Sequence, residues 1–356
     1  MPSLKEIKGR INSISSTLAI TSAMKMVAAA KLQKAQMAIQ NMLPYERRLY
    51  SMLLDLMGAM NISAAASEDV SVRGSGSAER GFDQSADRLS LSNRHDLAGM
   101  DGAYSLMAQR EVRKVAIVAF ASNSSLCGAF NSNVIREATA VINEYRASGL
   151  GDADITVYSV GRKMAEAMKR LGFPSPADFT KMSDSPSYDA ASALAQELFG
   201  GFVSGRFDKV ELVYNHYKST SSQPTTRQTY LPLSLADATA DIQVGKITDS
   251  ASEPYADKVA EPVVRQNSPT TETPDLIVEP SKEELIATLL PKVVRLRVFT
   301  TLLDSTAAEH AARTVAMQLA TDNGNDLLQE LTLEYNKGRQ QKITSEILDI
   351  VGGSLQ

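Results

Sequence analysis

The residues best suited by type and spacing to do chemistry lie in one short run, Ser122-Asn-Ser-Ser-Leu-Cys127-Gly128. The run follows an apolar stretch of strand length and precedes a helical pattern. Loops in that position often carry ligands in α/β folds, and a thiol near a helix N-terminus can have a lowered pKa. Cys127 is the only cysteine, which excludes an internal disulfide and fits a reducing compartment. No histidine stands near it in sequence to act as a base. The plainer reading is a small buried thiol beside a turn glycine. The three histidines, His95, His216 and His310, are scattered. His310 follows Glu309 in a helical pattern, but no second histidine stands four residues on, so a zinc pair is not expected and a helix-surface histidine is. The chain contains no Walker-type phosphate loop and no Gly-x-Gly-x-x-Gly after a strand. No catalytic residue, cofactor-binding residue or metal ligand is therefore expected.

The elements that would position that loop form an alternating series. Val115 to Phe120 is a continuous apolar run of strand length, Phe130 to Arg146 reads as a helix, and Ile155 to Val160 as a second strand. Helices follow over Arg162–Leu171 and Ala190–Phe202, with a strand over Val210–Tyr217 and an edge strand over Thr226–Leu233. Buried strands separated by helices predict a mainly parallel sheet covered on both faces, a Rossmann-like α/β domain over 112–235.

Both ends of the chain read as long helices. Leu4, Ile7, Ile11, Ile14, Leu18, Ala28, Leu32, Ala35, Ile39 and Met42 recur at three- and four-residue spacing, a heptad seam. From Ser3 to Leu43 such a helix is about 60 Å long, and Pro44 is the first residue able to kink it. The seam is interrupted at Thr21 and Lys25, beside Met24 and Met26. That interruption reads either as a register break or as a contact facing something other than the partner helix. The helical pattern resumes through Leu49, Leu53, Leu56 and Met60. At the other end, Ser281 and Glu284 form a capping-box pattern after Pro280, and Pro291 should kink or restart the helix. Its stripe runs Leu296, Phe299, Leu303, Ala308, Ala312, Val315, Leu319, then Ile343, Ile347 and Ile350. Neither stripe can be buried alone. The economical solution is for the helices of 1–60 and 280–356 to pair antiparallel as a coiled-coil shaft. Between them, 61–111 is Ser/Gly-rich and reads as a mobile insertion, and 236–279 as an acidic loop.

Composition sets outer bounds. The 356 residues are 43% apolar and 22% charged, ordinary for a globular chain, with net charge -4. The first 48 residues are basic, which suggests an acidic partner. Fourteen Met and no Trp suit packing surfaces that slide. No apolar run approaches the roughly 20 residues of a membrane span. No signal or transit peptide pattern is evident at the start.

The ends then carry a resemblance. Leu4-Lys-Glu-Ile-Lys-Gly-Arg-Ile11 followed by Ile20-Thr-Ser-Ala-Met-Lys-Met-Val-Ala-Ala-Ala-Lys-Leu32 resembles the start of the gamma subunits of bacterial F-type ATP synthases. Glu309-His-Ala-Ala-Arg313, Ala320-Thr-Asp-Asn323, Glu330-Leu-Thr-Leu-Glu-Tyr-Asn-Lys337, Arg339-Gln-Gln-Lys-Ile-Thr-Ser-Glu-Ile347 and Ile350-Val-Gly-Gly353 resemble their C-terminal helix. Ser125-Leu-Cys-Gly-Ala-Phe-Asn131 and Tyr214-Asn-His-Tyr-Lys218 are similar to mid-chain signatures of the same family. Three departures stand out. Ser63–Arg110 and Ala236–Pro274 look like additions. The loop reads Ser122-Asn-Ser-Ser125 where the family usually has Ser-Asp-Arg-Gly. The paired regulatory cysteines of chloroplast relatives are absent, so thiol control is not expected.

The resemblance implies a non-catalytic rotor shaft, one copy per complex, turning inside an alpha3beta3 ring. The α/β domain would stand on the membrane c-ring beside epsilon, peripheral on the cytoplasmic face of the bacterial inner membrane. A proton crossing 100 mV carries about 2.3 kcal/mol, so several must be combined per ATP through a stiff shaft. By position in the motifs, Met24, Lys25, Arg313, Arg339, Gln340, Thr344 and Glu346 would meet beta. Tyr214, Asn215, His216, Tyr217 and Lys218 would lie near epsilon and the c-ring. Two rival readings remain from the residues alone: an enzyme centred on Cys127, and a nucleic-acid arm built from the basic first helix. Both leave the C-terminal resemblance unexplained, and neither a nucleic-acid partner nor a cofactor is expected.

Overall fold

The computed structural model describes residues 3–59, 105–107, 109–233, 278–279 and 281–353. Most of the expected insertion, with His95, lies outside the described residues, as do Pro280 and most of the acidic stretch 236–279.

Two helices dominate. Helix α1 spans Leu4–Ala59 and the last helix, α6, spans Lys282–Gly353. At 1.5 Å per residue they are about 85 and 110 Å long. Pro44 and Pro291 both lie inside them rather than ending them. Each proline removes one N–H from the helical ladder, and packing on either side carries the helix through. Ser281 starts α6 as expected: its Oγ accepts from the Glu284 N–H at 3.2 Å and its carbonyl from Leu285 N–H at 3.1 Å.

Between them the chain runs β1 (Val115–Phe120), α2 (Phe130–Ala147), β2 (Ile155–Val160), α3 (Arg162–Arg170), α4 (Thr180–Asp184), α5 (Tyr188–Val203), β3 (Lys209–Asn215) and β4 (Thr225–Leu231). The strand order is β2-β1-β3-β4, with β1 parallel to both neighbours and β4 antiparallel to β3. All six β1 residues are buried. A run with no polar face fits only a strand covered on both sides, and β1 occupies that central place. The third strand stops at Asn215, two residues earlier than expected: the His216 N–H still donates to the Pro224 carbonyl at 2.9 Å, but the Tyr217 N–H turns to Asp304 of the last helix. The short helix α4 was not legible as a periodic segment.

Two cores cover the sheet. On one face Val115, Ile117, Ala119, Val157 and Val213 pack with Val134, Ala138 and Ile142 of α2 and Met164 and Met168 of α3. On the other, Ala116, Val118, Phe120, Tyr158 and Leu212 pack with α5, with Leu49, Leu53 and Leu56 of α1, and with Ile286 to Leu302 of α6. The roots of both long helices are thus part of the domain core. So is the tail of the stretch 61–111. Ser105–Met107 form a 3-10 turn, Leu106 is fully buried, and its carbonyl accepts from Leu233 N–H at 2.9 Å.

Past the sheet the helices run on together. A Cβ placed on Gly338 would lie 3.1 Å from Leu4, and one on Gly324 2.6 Å from Leu18. Thr321 Oγ1 donates to Thr21 Oγ1 at 3.1 Å, Ala307 and Ala311 pack with Leu32 and Ala35, and Arg297 pairs with Glu46 at 3.3 Å. Numbers on one helix fall as those on the other rise, so the pair is antiparallel. Leu4 already meets Gly338, so α6 continues past the start of α1 by about 15 residues, roughly 20 Å.

Candidate functional site: the shaft and its joint with the sheet

The N-terminal seam faces its partner as the spacing predicts. Ile7, Ala28, Leu32 and Ala35 are buried, and Leu4, Ile11, Ile14, Leu18, Ile39 and Met42 are half-buried. Thr21 and Lys25 stay in the seam, the former through its bond to Thr321. Met24 and Lys25 are half-buried, while the adjacent Met26 is 65% exposed and Val27 and Ile20 also point outward. A bulky apolar face therefore turns away from the partner helix.

The C-terminal stripe faces inward through Leu296, Phe299, Leu303, Ala308 and Ala312, all buried or half-buried, but Val315 and Leu319 are exposed, the latter by 60%, and the inward positions there include Ala311, Met317, Thr321 and Gly324. The inner face carries small residues, which let the two backbones approach. The bulky residues stand on the outer face. Ile343, Ile347 and Ile350 are exposed because they lie on the overhang beyond Leu4, where α1 offers no surface. The overhang also carries Thr344 and Glu346, both exposed, and Arg339 and Gln340 are exposed where it begins. Their own contacts are local: Thr344 Oγ1 donates to the Gln340 carbonyl at 2.9 Å, and Lys342 pairs with Glu346 at 3.8 Å.

The second site is the joint where the C-terminal edge of the sheet meets the shaft. The Ser122–Gly128 loop is held by Asn131, whose Oδ1 accepts from Ser122 N–H at 3.0 Å and whose Nδ2 donates to the Ser124 carbonyl at 3.1 Å. Leu126 takes a left-handed φ of 67°, so the chain turns sharply before Cys127. The Cys127 side chain is buried against Phe130 and Ala308 of α6. It is a packing group under the shaft, not an exposed thiol.

Arg313 is only 11% exposed in its side chain. It pairs with Glu309 at 2.7 Å and donates to Ser124 Oγ at 2.7 Å, so it faces inward, across the joint. Burial pushes the Glu309 carboxyl up despite the attraction of Arg313. His310, expected on the helix surface, is half-buried, and burial with the positive charges of Arg313 and Lys31 holds its pKa down at about 4.

The Tyr214–Lys218 segment is likewise mostly internal. Tyr214 packs in the core below the long helices. Asn215, 1% exposed, donates to the Phe130 carbonyl at 3.0 Å and accepts from Thr225 at 2.7 Å. His216 Nδ1 lies 2.6 Å from Asp304 Oδ2, and the Tyr217 N–H donates to Asp304 Oδ1 at 2.8 Å. The Tyr217 hydroxyl accepts from Gln36 Nε2 at 2.5 Å. Of the five residues only Lys218 is exposed. Asp304 and Gln36 carry no local sign in the sequence of what they face.

Among the described residues, no group of three or more His, Cys, Asp or Glu is placed to hold a metal ion. No helix among them is long and apolar enough to cross a membrane.

A long antiparallel helix pair rooted in a mixed α/β sheet defines a shaft-bearing class of protein. A family model described as ATP synthase matches residues 3–355. The chain is 47% identical over 355 residues to the ATP synthase gamma chain of Phocaeicola vulgatus, and 45% identical over 356 residues to that of Bacteroides thetaiotaomicron, all of both chains being covered in each case. The chain belongs to the ATP synthase gamma-chain family, the non-catalytic stalk subunits of the rotary ATP synthase. The two long stretches that look like additions fall within these full-length matches. Among solved structures, a chain of the Euglena gracilis mitochondrial ATP synthase assembly of OSCP, F1 and c-ring has the same fold, with TM-score 0.53 and 19% identity over 99% of this chain and 93% of that one. A chain of the rotor from the same source gives TM-score 0.50 at 19% identity, covering 96% of this chain and 98% of that one.

Proposed function

We propose that this chain couples proton flow through a membrane c-ring to ATP synthesis and hydrolysis at beta-subunit sites, by rotating as the shaft of an alpha3beta3 ring. The observation that carries the reading is the shape of the shaft. Its paired helices bury small residues against each other and turn Ile20, Met26, Val27, Val315 and Leu319 outward. Apolar contacts are non-directional, so they can be exchanged between neighbours during a turn without breaking a fixed lock. A two-helix rod resists twist better than one helix. The bare overhang of α6 is the part thin enough to enter a bearing.

In this reading Met24 and Lys25 meet a beta loop partway along the shaft. Arg339, Gln340, Thr344 and Glu346, exposed at the tip, meet beta again. Arg313 acts first as an internal brace and touches beta only at its rim. Lys218 is the member of the Tyr214–Lys218 segment that faces epsilon or the c-ring, with Tyr214, Asn215, His216 and Tyr217 holding it in place. The complex sits peripherally on the cytoplasmic face of the bacterial inner membrane, with one copy of this chain.

The test is to tag the chain in its host, extract membranes gently and identify what co-purifies. Recovery of alpha, beta, epsilon and c subunits with ATPase activity is the expected result. Recovery of the chain alone from the soluble fraction overturns the reading.

A further inference from the structure

We propose that Tyr217 is the key that fixes the rotational register between the α/β domain and both shaft helices, with His216 and Asp304 holding it; the inference rests on the rotor reading above. Torque crossing from the domain to the shaft needs a contact that engages both helices away from their common axis. The roots of both helices pack in the domain core through Leu49, Leu53, Leu56 and Ile286 to Leu302, but apolar packing is non-directional and does not by itself fix an angle. Just beyond the sheet the helix pair meets through Ala35, Ala307 and Ala311 with Leu32 and Ile39 beside them, an apolar contact without a hydrogen bond of its own to set the angle. Tyr217 enters at this place. Its ring packs against the cluster of Leu32, Ala35, Ala307 and Ala311, and against that of Cys127, Phe130 and Ala308.

The two ends of this one residue reach different helices. Its hydroxyl accepts from Gln36 of α1 and its backbone N–H donates to Asp304 of α6. The other oxygen of the same carboxylate meets His216 Nδ1. Two consecutive residues leaving β3 are therefore clamped to one side chain of α6, which fixes the direction in which the Tyr217 ring projects. Hydrogen bonds to a carboxylate are the stronger, more directional kind, which suits a part that must hold angle rather than merely distance. The Arg313–Ser124 bond, in contrast, joins the domain to α6 alone. Tyr217 is a positioning residue; it touches no nucleotide and no proton path.

The experiment uses the assembled complex in inverted membrane vesicles, recording ATP hydrolysis and ATP-driven proton pumping together for the unaltered chain and for Tyr217→Ala, Tyr217→Phe and Asp304→Ala. Expected are hydrolysis retained and a loss of protons moved per ATP in Tyr217→Ala and Asp304→Ala, with a smaller loss in Tyr217→Phe, which keeps the ring and removes only the Gln36 bond. Amide exchange at Tyr217 should rise about tenfold in Asp304→Ala, matching loss of one charge-assisted hydrogen bond. A role in stability alone would lower assembly and leave that ratio unchanged. If Tyr217→Ala does not assemble, Asp304→Ala and Tyr217→Phe decide by the same ratio. Wild-type pumping per ATP in every assembled variant overturns the proposal. Failure of the unaltered chain to support any pumping overturns instead the rotor reading on which it rests.

Discussion

Arg313, near the middle of the longest helix, donates a 2.7 Å hydrogen bond to Ser124 Oγ in the loop after the first strand, while its other nitrogen pairs with Glu309 one turn back. The bond joins residues 189 positions apart, and it places a buried ion pair at the root of the shaft.

Breaking that pair from one side should be costly. Arg313→Met leaves the Glu309 carboxylate buried without its partner, a change that typically destabilises by about 3–5 kcal/mol. Burial already raises the Glu309 pKa, and losing the arginine raises it further. The folded state then binds a proton that the unfolded chain releases, so the deficit grows as pH rises above the ordinary carboxyl range. Denaturation midpoints should separate more at pH 8 than at pH 5, and adding Glu309→Gln should recover most of the loss. A deficit independent of pH would show that Glu309 is not the group left stranded.

His310 gives an opposite pH dependence. Its pKa in the fold is held at about 4, against an ordinary value of 6.5. Between those values the unfolded chain takes up a proton that the folded chain refuses, so stability falls as pH drops from about 6.5 towards 4. His310→Gln should flatten this acid limb in a series of thermal melts. An unchanged limb would place the responsible group elsewhere.

The two shaft glycines should respond differently to alanine. Ala in place of Gly favours a helix by about 1 kcal/mol. At Gly338 the new methyl would meet only the tip of Leu4, 3.1 Å away and at the end of α1, where a small shift suffices. Gly338→Ala should therefore stabilise the shaft by up to about that amount. At Gly324 the methyl would stand 2.6 Å from Leu18 Cδ2 and 3.2 Å from its Cγ. Overpacking costs about 1–3 kcal/mol, so Gly324→Ala should be neutral or destabilising. Amide-exchange protection of the shaft in the two variants decides it. An equal gain at both positions would mean that Leu18 yields freely.

At the tip, Arg339→Ala with Gln340→Ala should lower ATPase turnover of the reconstituted complex without preventing assembly. Both side chains are exposed, so the fold loses little. Unchanged turnover would count against their role as beta contacts.

Much of the molecule was legible in its residues. The seam from Leu4 to Met42 works because bulky residues at heptad spacing leave one face to bury. The run Val115–Phe120 works because it has no polar face at all. The failures share a cause. On α6 between Ala307 and Gly324 the buried face is made mostly of small residues, Met317 apart, so apolar bulk at Val315 and Leu319 marks the outward side. Ile343, Ile347 and Ile350 have the right spacing, but burial also needs a partner, and spacing along one helix does not say where the other begins. Tyr214 to Lys218 resemble a family signature that implies a place near epsilon and the c-ring, and the signature does not say which of them turn inward. His216 and Tyr217 are half-buried and bond to Asp304 and Gln36, 88 and 181 residues away. Local pattern carries no trace of such distant pairings.

The antiparallel pairing also sets an order of events during synthesis. Helix α1 is complete once Ala59 is made, yet its partner face on α6 begins only after Lys282. At 5–20 residues per second, the intervening stretch takes roughly 10–45 s to translate. Throughout that interval the seam from Ile7 to Ala35 is without its mate, and a long amphipathic helix without a mate is a target for aggregation or for a holding chaperone. Closure of the shaft must wait until the facing residues from Ala307 to Gly338 are made, so α1, made long before them, is among the last elements to reach its final environment.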